Sequence, residues 1–143
     1  MMTYYHGTDS NAAANMEQQG IDLGLGGGEL GKGFYIGSSL WRACSWAWQV
    51  AQKKKMQYAV IKFDLDEDKF LSLRLHCLNR QTTLDNYGDR KRCNNTQDYE
   101  YSNVDAVWAP IVGRNVHDAY QIKFQNTECA KVFINQTTKQ KIK

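Results

Sequence analysis

The stretch GKGFYIGSS, residues 31–39, decides how the chain is organised. Its glycines close a glycine-rich segment, 22–33, which we interpret as a loop whose backbone can approach another molecule closely. The apolar run at 34–36 then predicts a strand. The order of glycine-rich loop, short strand and polar boundary places a strand-to-helix junction in the first third of the chain.

A long helix is expected directly after this strand. Ser38 or Ser39 can cap its first turn, and the helical pattern continues to about Lys54. Apolar residues recur at helical spacing and mark one face of the helix, formed by Leu40, Ala43, Ala47 and Val50.

The remaining segments predict an α+β domain rich in strands. A first strand at 3–6 is expected to stop at Gly7, and a helix follows from Asn11 to Gln19. Further strands are expected at 58–63, 70–73, 104–112, 119–124 and 131–135, whereas 79–100 is polar and is expected to be irregular. Two early helices beside many strands favour the α+β class.

Length and composition limit the class of protein. The 143 residues, 42% of them hydrophobic, suit one globular domain covering 1–143, expected to be a monomer. No apolar run is long enough to cross a membrane, and the N-terminus has no basic-then-apolar leader, so a cytoplasmic protein with no membrane partner is expected. The four cysteines lie far apart without a Cys-x-x-Cys pair, which favours reduced thiols and no metal site.

Three segments carry residues suited to nucleotide chemistry. They are YHGT at 5–8, GKGFY at 31–35 and AYQIKF at 119–124. Their order and spacing resemble the H-Y-E class of ADP-ribosyltransferases, which includes the poly(ADP-ribose) polymerases and diphtheria toxin, and more closely its small single-domain relatives. The resemblance implies a split β-sheet core with flanking helices, NAD as co-substrate and no metal.

The first motif corresponds to the family's strand that ends in His-Gly-Ser or His-Gly-Thr. The resemblance implies that His6 bonds the adenine-side ribose, that the Gly7 backbone holds the nicotinamide carboxamide, and that Thr8 completes the motif. These residue types suit the task, because an imidazole bonds a hydroxyl and a glycine lets the main chain reach an amide.

The second motif implies an aromatic sandwich around the nicotinamide ring. Tyr35 takes the place of the stacking tyrosine, and Trp46 stands at the family's offset of eleven residues for the second aromatic. Eight residues after the tyrosine, where relatives often carry a serine for the carboxamide, this chain has Ala43. Ser45 or Ser38 is the candidate substitute, and Ser45 is assigned to the site with Trp46.

The third motif contains the main departure from the family. Gln121 stands where the family has a glutamate that stabilises positive charge on the ribose. A neutral glutamine can position the 2′-hydroxyl but supplies less field, so single ADP-ribose transfer without chain elongation is expected. Glu29 and Glu128 are candidate replacement carboxylates outside the matched position.

The sequence therefore predicts an NAD-dependent mono-ADP-ribosyltransferase with His6, Tyr35 and Gln121 as catalytic residues and a protein or nucleic acid as acceptor. Two alternatives remain open at this point. Water as acceptor would make the protein an NAD glycohydrolase toxin. Gln121, together with three clusters of basic residues at 53–55, 90–92 and 139–143, suits a non-catalytic module that binds NAD, ADP-ribose or nucleic acid. The glycine-rich stretch lacks the strand-to-helix context of a Rossmann site.

Overall fold

A computed structural model describes residues 2–92, 99–112 and 119–143, with the side chains of 89–92 excepted. Across these ranges a seven-stranded mixed sheet has the order β6-β7-β8-β4-β1-β5-β9, and β2 and β3 form a separate hairpin. The strands are β1 (Met2–Asp9), β2 (Gly27–Gly28), β3 (Gly31–Lys32), β4 (Phe34–Gly37), β5 (Tyr58–Leu65), β6 (Leu75–Cys77), β7 (Ala106–Pro110), β8 (Tyr120–Phe124) and β9 (Thr138–Lys141). The helices are α1 (Ser10–Gln19), α2 (Leu40–Lys54), α3 (Glu67–Leu71), α4 (Arg80–Arg92) and α5 (Glu128–Gln136). The mixture of helices with a largely antiparallel sheet confirms the α+β class.

The two faces of the sheet bury different partners. On one face lies the main core, which includes Phe34, Ile36, Phe63 and Phe124 and receives apolar residues of α1, α3 and α5. On the other face α2 lies across β1 through small residues. Ala43 and Ala47 cluster there with Val60. Adjacent residues of a strand point to opposite faces, so each motif contributes side chains to both.

Helix α2 begins as expected, and its buried face includes two of the four residues predicted for it, Ala43 and Ala47. Ser39 caps it by accepting the Arg42 amide at 3.3 Å. Its buried residues are Ala43, Ala47 and Ala51, whereas Leu40 is exposed and Val50 only partly buried. The prediction of Leu40 and Val50 on the inner face was wrong, because β1 approaches so closely that only alanine fits between the backbones.

Four local predictions were wrong. The first strand runs through Gly7 to Asp9, since β5 pairs with it along its whole length. Phe70 ends up in α3, capped by Asp66, rather than in a strand at 70–73. The segment 79–100, expected to be irregular, contains α4. The segment 131–135 is part of α5, where Thr127 caps the helix and residues at helical spacing are buried: Ala130, Phe133 and Ile134.

An ion pair fixes the corner where β6, β7 and α5 meet. The Asp105 carboxylate is almost fully buried and accepts bonds from the Arg74 guanidinium at 2.9 Å and the Thr127 hydroxyl at 2.6 Å. Chiefly through the bond with Arg74, the pKa of Asp105 falls to about 2. This corner holds the start of β7, which pairs with β8, the strand that carries Gln121.

No helix among residues 2–92, 99–112 and 119–143 combines the length and apolar character needed to cross a membrane. Cys44, Cys77 and Cys129 are free thiols, and Cys93 lies outside the described residues.

Candidate active site

The three motifs lie on adjacent strands at the centre of the sheet. Strand β4 lies between β1 and β8, so that Gly37 pairs with Tyr5 on one side and with Gln121 on the other. This brings together segments that are more than one hundred residues apart in the sequence. Tyr5 and Gly37 are the registered pair that joins β1 to β4.

Next to the Tyr5–Gly37 pair, the contact between β1 and β4 is made by the His6 side chain. Its Nδ1 lies 2.6 Å from the Tyr35 carbonyl oxygen, and its ring stacks on Phe34 with centroids 4.4 Å apart. Because a carbonyl oxygen only accepts, Nδ1 carries the proton and Nε2 is left as an acceptor in the neutral ring. Burial lowers the pKa of His6 below its ordinary value, against the opposite effect of the Tyr35 carbonyl. His6 is therefore a neutral, oriented imidazole at about pH 7.

Gly7 lies against the backbone of α2. A Cβ atom at this position would lie 2.1 Å from the Ala43 carbonyl oxygen and 3.0 Å from the Ala47 Cβ, so any other residue would push α2 off the sheet. Gly7 and Ala43 are thus in direct contact, which places the first motif against the helix that follows the second. Thr8 is buried next to them in β1, opposite Ala59.

Tyr35 is covered by the glycine-rich hairpin β2–β3. Its hydroxyl donates to the Gly31 carbonyl and accepts the Leu30 amide at 3.0 Å. A Cβ atom at Gly28 would lie 3.1 Å from the Tyr35 Cζ, so the hairpin backbone contacts the tyrosine ring directly. Within the segment 22–33 that was expected to be a loop, residues 27–32 therefore form a short hairpin that contacts Tyr35.

A carboxylate meets Gln121 at the turn of the same hairpin. Gln121 is buried, and its Nε2 donates to the Glu29 Oε1 at 3.1 Å and to the Pro110 carbonyl at 3.2 Å. The Glu29 Oε1 also accepts the Val112 amide at 3.2 Å. Negative charge therefore lies within hydrogen-bond distance of the position where the family resemblance implies a glutamate. Glu128, the other candidate carboxylate, is exposed at the start of α5.

Two sequence-predicted residues are exposed on α2. Trp46 is 61% exposed, beside the buried alanine face, and Ser45 is exposed on the side of the helix opposite that face. Ser38, the other candidate for the carboxamide, accepts the Tyr120 amide at 2.9 Å and fixes β4 to β8 beside Gln121. The structure therefore places His6, Gly7, Tyr35 and Gln121 on three adjacent strands and leaves Ser45 exposed on α2.

Sequence reasoning gave Glu29 little weight. It lies 92 residues from Gln121, and no spacing rule connects the two positions. The only signal is that a charged residue interrupts the glycine-rich segment, at the turn of what proves to be a hairpin.

Two surface cavities lie away from the three motifs. A cavity of about 360 Å³ lies at the C-terminal end of α2, and another of about 330 Å³ lies beside Asn103 and Gln125. Neither is lined by His6, Tyr35 or Gln121. Among the described residues no group of three or more His, Cys, Asp or Glu side chains could hold a metal ion.

Comparison of the chain with models of protein families and with curated protein sequences finds no match.

Proposed function

We propose that the protein is an NAD-dependent mono-ADP-ribosyltransferase, which breaks the nicotinamide–ribose bond of NAD and transfers one ADP-ribose to a protein or nucleic-acid acceptor. The proposal rests on one observation above all: the buried Gln121 amide bonds the Glu29 carboxylate at 3.1 Å, on the strand next to the one that carries Tyr35. A buried amide paired with a partly buried carboxylate at this position combines the two tasks that a single glutamate would perform.

The reaction needs a negative group near the sugar. When the bond from C1′ to the nicotinamide nitrogen breaks, its electron pair stays with nicotinamide, and positive charge builds on the ribose until the acceptor's nucleophile bonds C1′ and loses its proton. A carboxylate at that place stabilises the developing charge, as in glycoside hydrolysis. In this scheme Glu29 supplies the charge, and Gln121 orients both the carboxylate and the ribose 2′-hydroxyl.

The other motif residues have binding tasks. The neutral His6 offers Nε2 as an acceptor to a ribose hydroxyl, and its bond to the Tyr35 carbonyl fixes the direction of that lone pair. Gly7 offers main-chain groups to the carboxamide, with Ala43 at the neighbouring position. Tyr35 stacks on the nicotinamide ring once Gly28 has moved off by about 3.5–4 Å, the thickness of an aromatic ring. Trp46 closes the ring from the other side.

The experiment is release of labelled nicotinamide from NAD by the wild-type protein and by single variants, with folding checked by circular dichroism. We expect Glu29→Gln to lower the rate by about 10²- to 10³-fold, the usual effect of removing one group that stabilises charge in a transition state. His6→Ala and Tyr35→Ala should weaken NAD binding and lower the rate. Glu128→Gln is the matched control, because it removes an exposed carboxylate and should leave the rate unchanged.

The position of the label separates the alternatives. ADP-ribose attached to protein or nucleic acid supports transfer, whereas free ADP-ribose identifies a glycohydrolase. NAD binding without nicotinamide release by any form of the protein would refute catalysis and leave a binding module. A wild-type rate for Glu29→Gln would refute the role of Glu29.

A further inference from the structure

Helix α2 exposes a stripe of side chains that the proposed reaction does not use. The stripe consists of every third or fourth residue along the helix and its C-cap, and all five members are exposed: Trp41, Ser45, Trp48, Gln52 and Lys55. Trp41 is 79% exposed and Trp48 is 54% exposed. Large aromatic side chains are usually buried, so two of them exposed on one side of a helix mark a binding surface.

The stripe continues into a groove at the C-terminal end of α2. Trp48 lines the cavity of about 360 Å³ together with Met56, Tyr58 and Lys143. Met56 is 38% exposed and Tyr58 is 39% exposed. Two aromatic residues, Trp48 and Tyr58, and the basic residue Lys143 therefore line one open depression.

Neither the stripe nor the lining of the groove includes an acidic side chain. The sequence of α2 contains no Asp or Glu, and Lys53 and Lys55 are exposed at its end. Lys54, between them, points to Asp9 and is paired with it at 2.8 Å. Lys55, which belongs to the stripe, and Lys143, which lines the groove, thus give this surface a cationic border, which favours a polyanionic partner.

We infer that this surface, the α2 stripe with its groove, binds a single-stranded polynucleotide. Exposed aromatic rings offer stacking platforms for unpaired bases, and lysines beside them neutralise the phosphates. The pattern differs from that of a helix lying in a membrane surface, whose apolar face is continuous and free. The buried face of α2 packs on the sheet, and polar Ser45 lies between Trp41 and Trp48 on the exposed side.

The inference is independent of the proposed NAD chemistry and is tested without NAD. The probe is a fluorescein-labelled strand of about 20 nucleotides, prepared as DNA and as RNA and compared with the same sequence as a duplex. We expect the fluorescence anisotropy of the label to rise when the single strand binds, and the affinity to fall steeply with salt. Tryptophan emission, measured separately, should be quenched on binding. Trp48→Ala should weaken binding by about 5- to 100-fold, and Lys55→Gln should reduce the salt dependence.

Matched controls lie on α3, away from the stripe. Leu71→Ala removes another exposed apolar side chain, and Lys69→Gln removes another exposed lysine; both should leave binding unchanged. Equal binding by wild type and a Trp41→Ala/Trp48→Ala double variant that retains its circular dichroism spectrum would overturn the inference. So would binding confined to anionic phosphatidylserine vesicles, or self-association that depends on the two tryptophans without binding to either strand.

Discussion

Replacing Asp105 by Asn should lower the free energy of unfolding by the amount that corresponds to the depression of the Asp105 pKa. The carboxyl group has a pKa of about 2 against its ordinary value of 3.8, mainly because the Arg74 guanidinium bonds its charged form. A difference of this size corresponds to about 2 kcal/mol of folding free energy. Arg74 is half exposed, so its charge remains hydrated in the variant and adds no large penalty.

The pH dependence has a definite sign. Because the folded-state pKa is depressed, the stabilisation is fully present above the unfolded pKa of about 4 and is lost as the pH falls towards 2. At about pH 7 the midpoint of thermal unfolding should fall by about 6–8 °C in Asp105→Asn, since 1 kcal/mol corresponds to about 3–4 °C at this chain length. Between about pH 4 and pH 2 the gap between wild type and variant should close.

The assay is thermal and urea unfolding followed by circular dichroism, with Asp68→Asn as the control for an exposed carboxylate. A gap between wild type and Asp105→Asn that stays constant down to about pH 2 would refute the assignment of the depressed pKa to Asp105. A variant as stable as wild type at about pH 7 would show that the corner at β6, β7 and α5 does not depend on this ion pair.

Two further perturbations test the centre of the sheet. Gly7→Ala should lower the free energy of unfolding by about 1–3 kcal/mol, because the added Cβ would lie 2.1 Å from the Ala43 carbonyl oxygen. Gly37→Ala is the control, since the atom nearest to its added Cβ is 3.7 Å away. Equal losses of the two variants in urea unfolding would contradict the close packing at Gly7. The depressed pKa of His6 predicts that wild-type stability falls as the pH drops below about 6.5, since the unfolded state takes up the proton more readily. His6→Gln should flatten this part of the urea-unfolding profile, and an unchanged slope would count against a partly buried, neutral imidazole.

Local signals in the sequence determined several elements correctly. Helix α1 follows its Asp9 cap and ends before Gly20, and α2 follows its Ser39 cap. Strands β4 and β8 lie where short apolar runs indicated them. These predictions succeeded because a cap, a turn glycine or a strand period is a property of a few neighbouring residues.

The α5 error shows where local signals fail. Residues 131–135 contain β-branched and aromatic residues that favour a strand, yet Thr127 caps a helix there. Phe133 and Ile134 reach the main core only from a helical backbone, and their burial outweighs the weak intrinsic preference.

The sequence by itself determined the α+β class, the three motifs and their order along the chain. Only the tertiary structure decided that β4 lies between β1 and β8, that His6 bonds the Tyr35 carbonyl, and that the Glu29 carboxylate meets Gln121. The physical reason is that strand pairing and the closure of the glycine-rich hairpin join residues distant in the chain. Their contacts depend on the packing of the whole sheet, whereas caps and periodicities depend only on neighbouring residues.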